Sequence, residues 1–134
     1  MMVFIYDMSA TLQEIKFDEL CNSIMSINKS IQSVAIINKL GRPVEKITRD
    51  DSLKQLSPAK DEMFFMQCVL EISMGKDYDS EYGPINYHLS ERGNLTMITF
   101  PMRDYVVLVT TNKNTSPISL AKKIVTIING YQTR

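Results

Sequence analysis

Apolar residues recur along this chain at two different spacings, and the switches between them divide it into helices and strands. From Leu12 to Ile27, the residues Leu12, Ile15, Leu20, Ile24 and Ile27 return at helical spacing, joined by Phe17, Cys21 and Met25. Glu14, Asp18, Glu19, Asn22 and Ser23 fill the opposite side, so this stretch predicts an amphipathic helix with a wide apolar stripe. Ser33-Val34-Ala35-Ile36-Ile37 is a β-branched run that ends at Asn38-Lys39-Leu40-Gly41-Arg42-Pro43. Gly41 supplies a permissive backbone for a turn, and Pro43 suits the first position of a returning strand, Val44 to Ile47. The pair predicts a hairpin of one buried strand and one half-exposed edge strand, followed by a polar connector from Thr48 to Leu56.

Ser57-Pro58 opens the next helix, because Ser accepts from free first-turn amides and Pro is favoured at the first helical position. The helix is expected to run to Met74, with Gly75 as its C-terminal cap. Met63, Phe64, Phe65, Met66, Cys68, Val69, Leu70, Ile72 and Met74 cover nearly its whole circumference. Such a helix requires burial on more than one side, and its own sheet supplies only one. The second cover is a subunit interface or, alternatively, the N-terminal residues.

Lys76 to Gly83 reads as a polar, acidic loop whose carboxylate spacing does not fit a calcium-binding loop. Ile85, Tyr87 and Leu89 then alternate with Asn86, His88 and Ser90, which predicts a strand with one buried and one wet face. Glu91 to Asn94 is a turn, Leu95 to Phe100 a second strand, and Pro101-Met102-Arg103-Asp104 a second turn. Tyr105 to Thr111 is apolar on both faces, which marks a central strand covered above and below. Ser116-Pro117 opens a last helix with Ile118, Ala121, Ile124, Val125, Ile128 and Tyr131 on one face and Lys122 and Lys123 on the other. Residues 1–10 are an N-terminal arm or short strand, and 11–134 form one domain of α+β type.

Composition narrows the chemistry. The chain has 134 residues with 15 Lys+Arg against 15 Asp+Glu, so no bulk charge favours nucleic acid or an anionic membrane. No apolar run approaches the roughly 18 residues that span a bilayer. The first residues lack a basic region and carry Asp7, which argues against a signal peptide. Two Cys do not make a disulfide framework; Cys21 and Cys68 read as buried free thiols of a reducing, cytoplasmic setting. With His88 they do not make a zinc ligand set. His88 lies on the polar face of its strand with no nucleophile or orienting group in its pattern, and the glycines form no phosphate-binding fingerprint. Arg103-Asp104 reads as a turn-stabilising ion pair before an anion site. No catalytic residue, cofactor or metal is expected.

The element order is helix, strand, strand, helix, strand, strand, strand, helix, and it resembles the roadblock/LC7 domain, a relative of longin and profilin-like folds. Ser33 to Val44 looks like the family's first hairpin, Ser57 to Met74 like its long central helix, and Leu95 to Ile128 like its closing strand–strand–helix unit. That last unit is also similar to small archaeal proteins of this size. The chain departs from the family in placing Met and Phe where the central helix often has small residues. The resemblance implies a five-stranded antiparallel sheet, with helices 1 and 3 on one face and helix 2 on the other. Cys21 and Cys68 would then lie on opposite faces, which excludes a disulfide between them.

The resemblance further implies a homodimer paired through helix 2 and the following strand, through Met63, Phe64, Phe65, Met66, Val69, Leu70, Ile85, Tyr87 and Leu89. In the family such dimers scaffold or regulate small Ras-like GTPases, so a non-enzymatic interaction module is the first expectation. The alternative is a profilin- or PAS-like sensory domain that binds a small apolar ligand between sheet and helix.

Overall fold

In the computed structural model, which describes residues 16–49, 57–113 and 116–132, one antiparallel sheet organises the chain. Its strands are β1 (Ile31–Ile37), β2 (Pro43–Thr48), β3 (His88–Glu91), β4 (Thr96–Met102) and β5 (Tyr105–Thr111), in the order β2-β1-β5-β4-β3. The strand that is apolar on both faces, β5, is the middle one, as its pattern requires. Among the described residues four helices accompany the sheet: α1 (Phe17–Met25), α2 (Pro58–Gly75), the short α3 (Asp79–Tyr82) and α4 (Pro117–Gln132). The arm 1–10, the predicted helix positions Leu12 and Ile15, and connector residues 50–56 lie outside the described residues.

Because side chains alternate along a strand, each face of the sheet draws on every second residue. Val34, Ile36, Val107, Val109, Ile98, Phe100 and Met102 face α1 and α4, which bring Leu20, Cys21, Ile24, Leu120, Ala121, Ile124 and Ile128. On the opposite face Ala35, Ile37 and Leu108 meet Phe65 and Cys68 of α2. That face also carries Met97, packed against this cluster, among polar residues. The cross-strand row Ala35, Leu108, Thr99, His88 runs across it, and Ser33 and Thr110 share a hydroxyl hydrogen bond. The two buried thiols therefore lie on opposite sides of the sheet, and both are free.

Local chemistry sets the ends of the elements. Ser57 Oγ accepts from Lys60 N at 3.3 Å and Pro58 is the first helical residue of α2, as predicted. Helix α1 stops at Met25, short of the predicted Ile27. There Arg49 donates through Nη2 to Met25 O at 2.6 Å and through Nε to Ile31 O at 2.8 Å, and so satisfies carbonyls at the helix end. Gly41 holds φ 77°, and a Cβ on it would lie 3.1 Å from Met66 Cα, so glycine is favoured where the β1–β2 hairpin closes against α2.

Several expectations are corrected. Gly75 is not a left-handed cap: it has φ −62° and lies within α2, and a Cβ there would come within 2.2 Å of Ile85 Cδ1. The left-handed glycine is Gly83, at φ 83°, after α3. Lys76 to Gly83 is not a loop but a 3-10 turn, Lys76–Tyr78, running into α3. Residues 85–87 alternate in burial as predicted, yet only His88–Glu91 pairs as a strand. Continuing that register would set Asn86 opposite Pro101, which has no N–H to donate. Pro101 itself does not start a turn: β4 passes through it to Met102, beyond the end of the β3 ladder. The turn is Arg103-Asp104, where Arg103 has φ 52°, a conformation that costs a residue with a Cβ about 1 kcal/mol. Ile118, placed by its spacing on the inner face of the last helix, is 57% exposed, whereas Leu120 and Ala121 are buried.

Candidate functional site

Helix α2 is apolar on both sides, and among the described residues only one side is covered. Phe65, Cys68 and Ile72 are buried, whereas Met63 is 74%, Leu70 50% and Met74 66% exposed. Positions 63, 70 and 74 fall on one stripe of a helix, so these side chains form an outward ridge, interrupted by Gln67. Beyond the end of α2, Tyr78 and Tyr82 are exposed as well, with their rings 6.4 Å apart. Exposed Leu40, in the hairpin that closes on Met66, adds to the same side.

Beside this ridge lies an open sheet edge. The outer edge of β2 is protected by Pro43 and by a bulge where the register shifts between Ile36 and Ile37, the usual means of discouraging further pairing. At the other end of the sheet β3 is outermost, and its outer side has no strand neighbour among the described residues. Between α2 and β3 runs a groove of about 130 Å³ lined by Phe64, Cys68, Glu71, His88, Ser90, Thr99 and their neighbours. Thr99 is 6% exposed and its Oγ1 has no hydrogen-bond partner among the described residues.

The predicted interface residues divide into three groups. Met63, Phe64, Met66, Val69 and Leu70 share α2 and reach its surface to different degrees, while Phe65 turns inward, with Lys46 Nζ 6.0 Å from its ring centre. Ile85 packs over Gly75 at the end of α2. Tyr87 and Leu89 turn to the other layer, where Tyr87 meets Phe100. Met74 extends the same ridge although it was not among the expected interface residues. Its place was legible, because it follows Leu70 by four positions.

Burial pushes the Cys68 thiol up to about 11, with Glu71 adding and a backbone hydrogen bond opposing. Burial takes Cys21 up to about 12, helped by Glu45 and Asp18. Both thiols are poor nucleophiles in that state. His88 is exposed at the start of β3. Asp104 pairs with Lys39 at 3.2 Å, and Arg103 donates to Gln132 O at 2.6 Å. Among the described residues no three His, Cys, Asp or Glu side chains converge as metal ligands, and no helix is long and apolar enough to cross a membrane.

Sequence comparison finds no matching protein-family model and no curated protein that matches. Structure comparison does. The Roadblock/LC7 domain from Streptomyces avermitilis superposes with a TM-score of 0.65 at 10% identity, over 87% of this chain and 94% of that one. The fold is that of the roadblock/LC7 domain. Myxococcus xanthus MglB matches this roadblock/LC7 arrangement with a TM-score of 0.64 at 10% identity, over 88% and 93% of the two chains. A chain of the LokiProfilin2/rabbit actin complex superposes with a TM-score of 0.57 at 11% identity, over 90% and 98%. The roadblock/LC7 order of strands and helices is thus reached here by a sequence that shares little with its structural neighbours.

Proposed function

We propose that the chain is a non-enzymatic interaction module of the cytoplasm that pairs with a second copy of itself through α2 and the β3 edge. The dimer then presents the α2 platform to a partner, which the roadblock/LC7 resemblance implies is a small Ras-like GTPase. The observation that carries this reading is the ridge of Met63, Leu70 and Met74, three large apolar side chains left in solvent on one helix. Covering each removes apolar surface from water at roughly 25 cal/mol per Å². The open β3 edge adjoins the ridge, so one approach of a second copy covers both. Met-rich ridges also suit adaptable protein surfaces.

Antiparallel pairing of two β3 edges about a two-fold axis sets residues of the same sheet face opposite one another. His88 and Ser90 share the α2 face, which makes them the positions to scan. His88→Cys and Ser90→Cys are each oxidised mildly and run without reductant. A covalent dimer at either position, absent from the wild type with its two buried thiols, supports the reading. No covalent dimer at either position contradicts it. For the GTPase, the dimer is immobilised and exposed to native extract with and without a non-hydrolysable GTP analogue. Nucleotide-dependent retention of a small GTPase is the expected result, and Leu70→Glu is expected to abolish it.

A further inference from the structure

The β3–β4 hairpin dictates which backbone groups β3 offers at the open edge of the sheet. Arg92 N donates to Leu95 O at 2.9 Å and closes that hairpin. Bonded and non-bonded pairs alternate along an antiparallel ladder, so Ser90–Met97 and His88–Thr99 are bonded pairs as well. The N–H and C=O groups of the residues between them, Leu89 and Glu91, therefore point away from β4 to the edge.

Pairing of this edge with a second copy must match outward residues to outward residues, and a two-fold axis makes the match reciprocal. With Ser90 opposite the partner's Ser90, Leu89 meets the partner's Glu91 and Glu91 meets the partner's Leu89. Both outward residues of each β3 are then bonded. The neighbouring registers that keep this match would call on Tyr87 or Gly93, which lie outside the strand.

The same register joins two unpaired charges. Glu71 and Arg92 both line the groove between α2 and β3. Glu71 accepts from Gln67 Nε2 at 3.5 Å, and among the described residues neither Glu71 nor Arg92 has an ion pair. They come from opposite ends of the groove. Gly75 packs on Ile85, so Glu71, one turn earlier in α2, lies toward the His88 end of β3. Arg92 stands four residues beyond His88, roughly 13 Å along a strand. Ser90-to-Ser90 pairing returns the partner's Arg92 to a place opposite His88, on the α2 face and at Glu71's end.

We infer that two copies join β3 to β3 with Ser90 opposite the partner's Ser90, and that the partner's Arg92 completes the α2–β3 groove by pairing with Glu71. This rests on the self-association proposed above and adds its register and its charge contact. A planar guanidinium matches a carboxylate in shape and charge. The two-fold axis makes two such pairs, so each groove is finished by a residue of the other copy.

The test compares cross-linking rates and dimer affinity in the full chain. Under mild oxidation Ser90→Cys is expected to form a covalent dimer at least tenfold faster than His88→Cys. In sedimentation equilibrium, Arg92→Glu and Glu71→Arg are each expected to weaken the dimer at least tenfold, and the double variant to return to within threefold of the wild type. Circular dichroism identifies a variant that has lost its fold, and the cross-linking rates, measured with Arg92 and Glu71 intact, decide the register without it. A wild-type dimer whose faster cross-link is through His88→Cys, or a folded double variant no tighter than the single ones, would overturn the inference and leave self-association standing. A monomeric wild type with no cross-link at either position would overturn both.

Discussion

The face of the sheet under α1 and α4 and the face under α2 are built from the same five strands, yet they are finished differently. Under α1 and α4, every strand contributes a large apolar residue that is at least half buried, and two helices close over them. Under α2, the sheet offers Ala35, Ile37 and Leu108 among hydroxyls, and a single helix covers them with Phe65 and Cys68. The rest of that helix's apolar content points outward. The first face is a completed core, whereas the helix over the second leaves large apolar side chains exposed, which the proposed self-association would cover. Similar apolar sequence thus serves two ends, and what separates them is how many elements converge on each face.

The largest expected difference between the faces is in stability. Ile124→Ala, fully buried between α4 and the sheet, is expected to cost about 3 kcal/mol by urea unfolding. Met63→Ala, on the exposed ridge, is expected to change monomer stability by no more than about 0.5 kcal/mol. Comparable losses would mean that the ridge is core after all.

The polar ties should rank in the same order. Arg49→Ala removes donors from Met25 O and Ile31 O on the closed face and is expected to cost about 2 kcal/mol. Ser57→Ala removes the cap of α2 and is expected to cost about 1 kcal/mol. Gly41→Ala lies between them at about 1.5 kcal/mol, because it strains a left-handed backbone and presses on Met66 where the hairpin meets α2. Thermal or urea unfolding of the three variants checks this ranking, and a cheaper Arg49→Ala than Ser57→Ala would reverse it.

The smallest effect separates the two thiols. Both are raised by burial, so the folded state favours the neutral thiol. Their stabilising contribution is complete below the ordinary value of 9.0 and is lost as pH rises toward about 12 for Cys21 and about 11 for Cys68. Replacing Cys21 with Val should flatten the alkaline decline in unfolding free energy more than replacing Cys68. The opposite order would place the tighter packing under α2.

Much of this fold was legible because its strongest signals are local. The apolar run of β5 announced a central strand, and Ser57-Pro58 announced the start of α2. The all-round apolarity of α2 announced a helix with two apolar sides. Which side faces the sheet was not legible: Phe65 and Leu70 are equally apolar, and only the position of Leu108 and Ile37 decides that Phe65 goes in. Residues 85–87 carry a strand's alternation but do not pair, because the decisive residue, Pro101, belongs to another strand. Gly75 and Gly83 both stand near a helix end, and only the approach of Ile85 tells them apart.

Sedimentation equilibrium of three proteins tests the difference between the faces most directly: the wild type, Leu70→Glu on the α2 ridge, and Ile118→Glu on the α4 side. Leu70 and Ile118 are similarly exposed, at 50% and 57%, so each substitution removes a comparable apolar surface. The account predicts a dimer for the wild type and for Ile118→Glu, and a folded monomer for Leu70→Glu. A monomeric wild type, or a dimer that survives Leu70→Glu and is lost in Ile118→Glu, would contradict it.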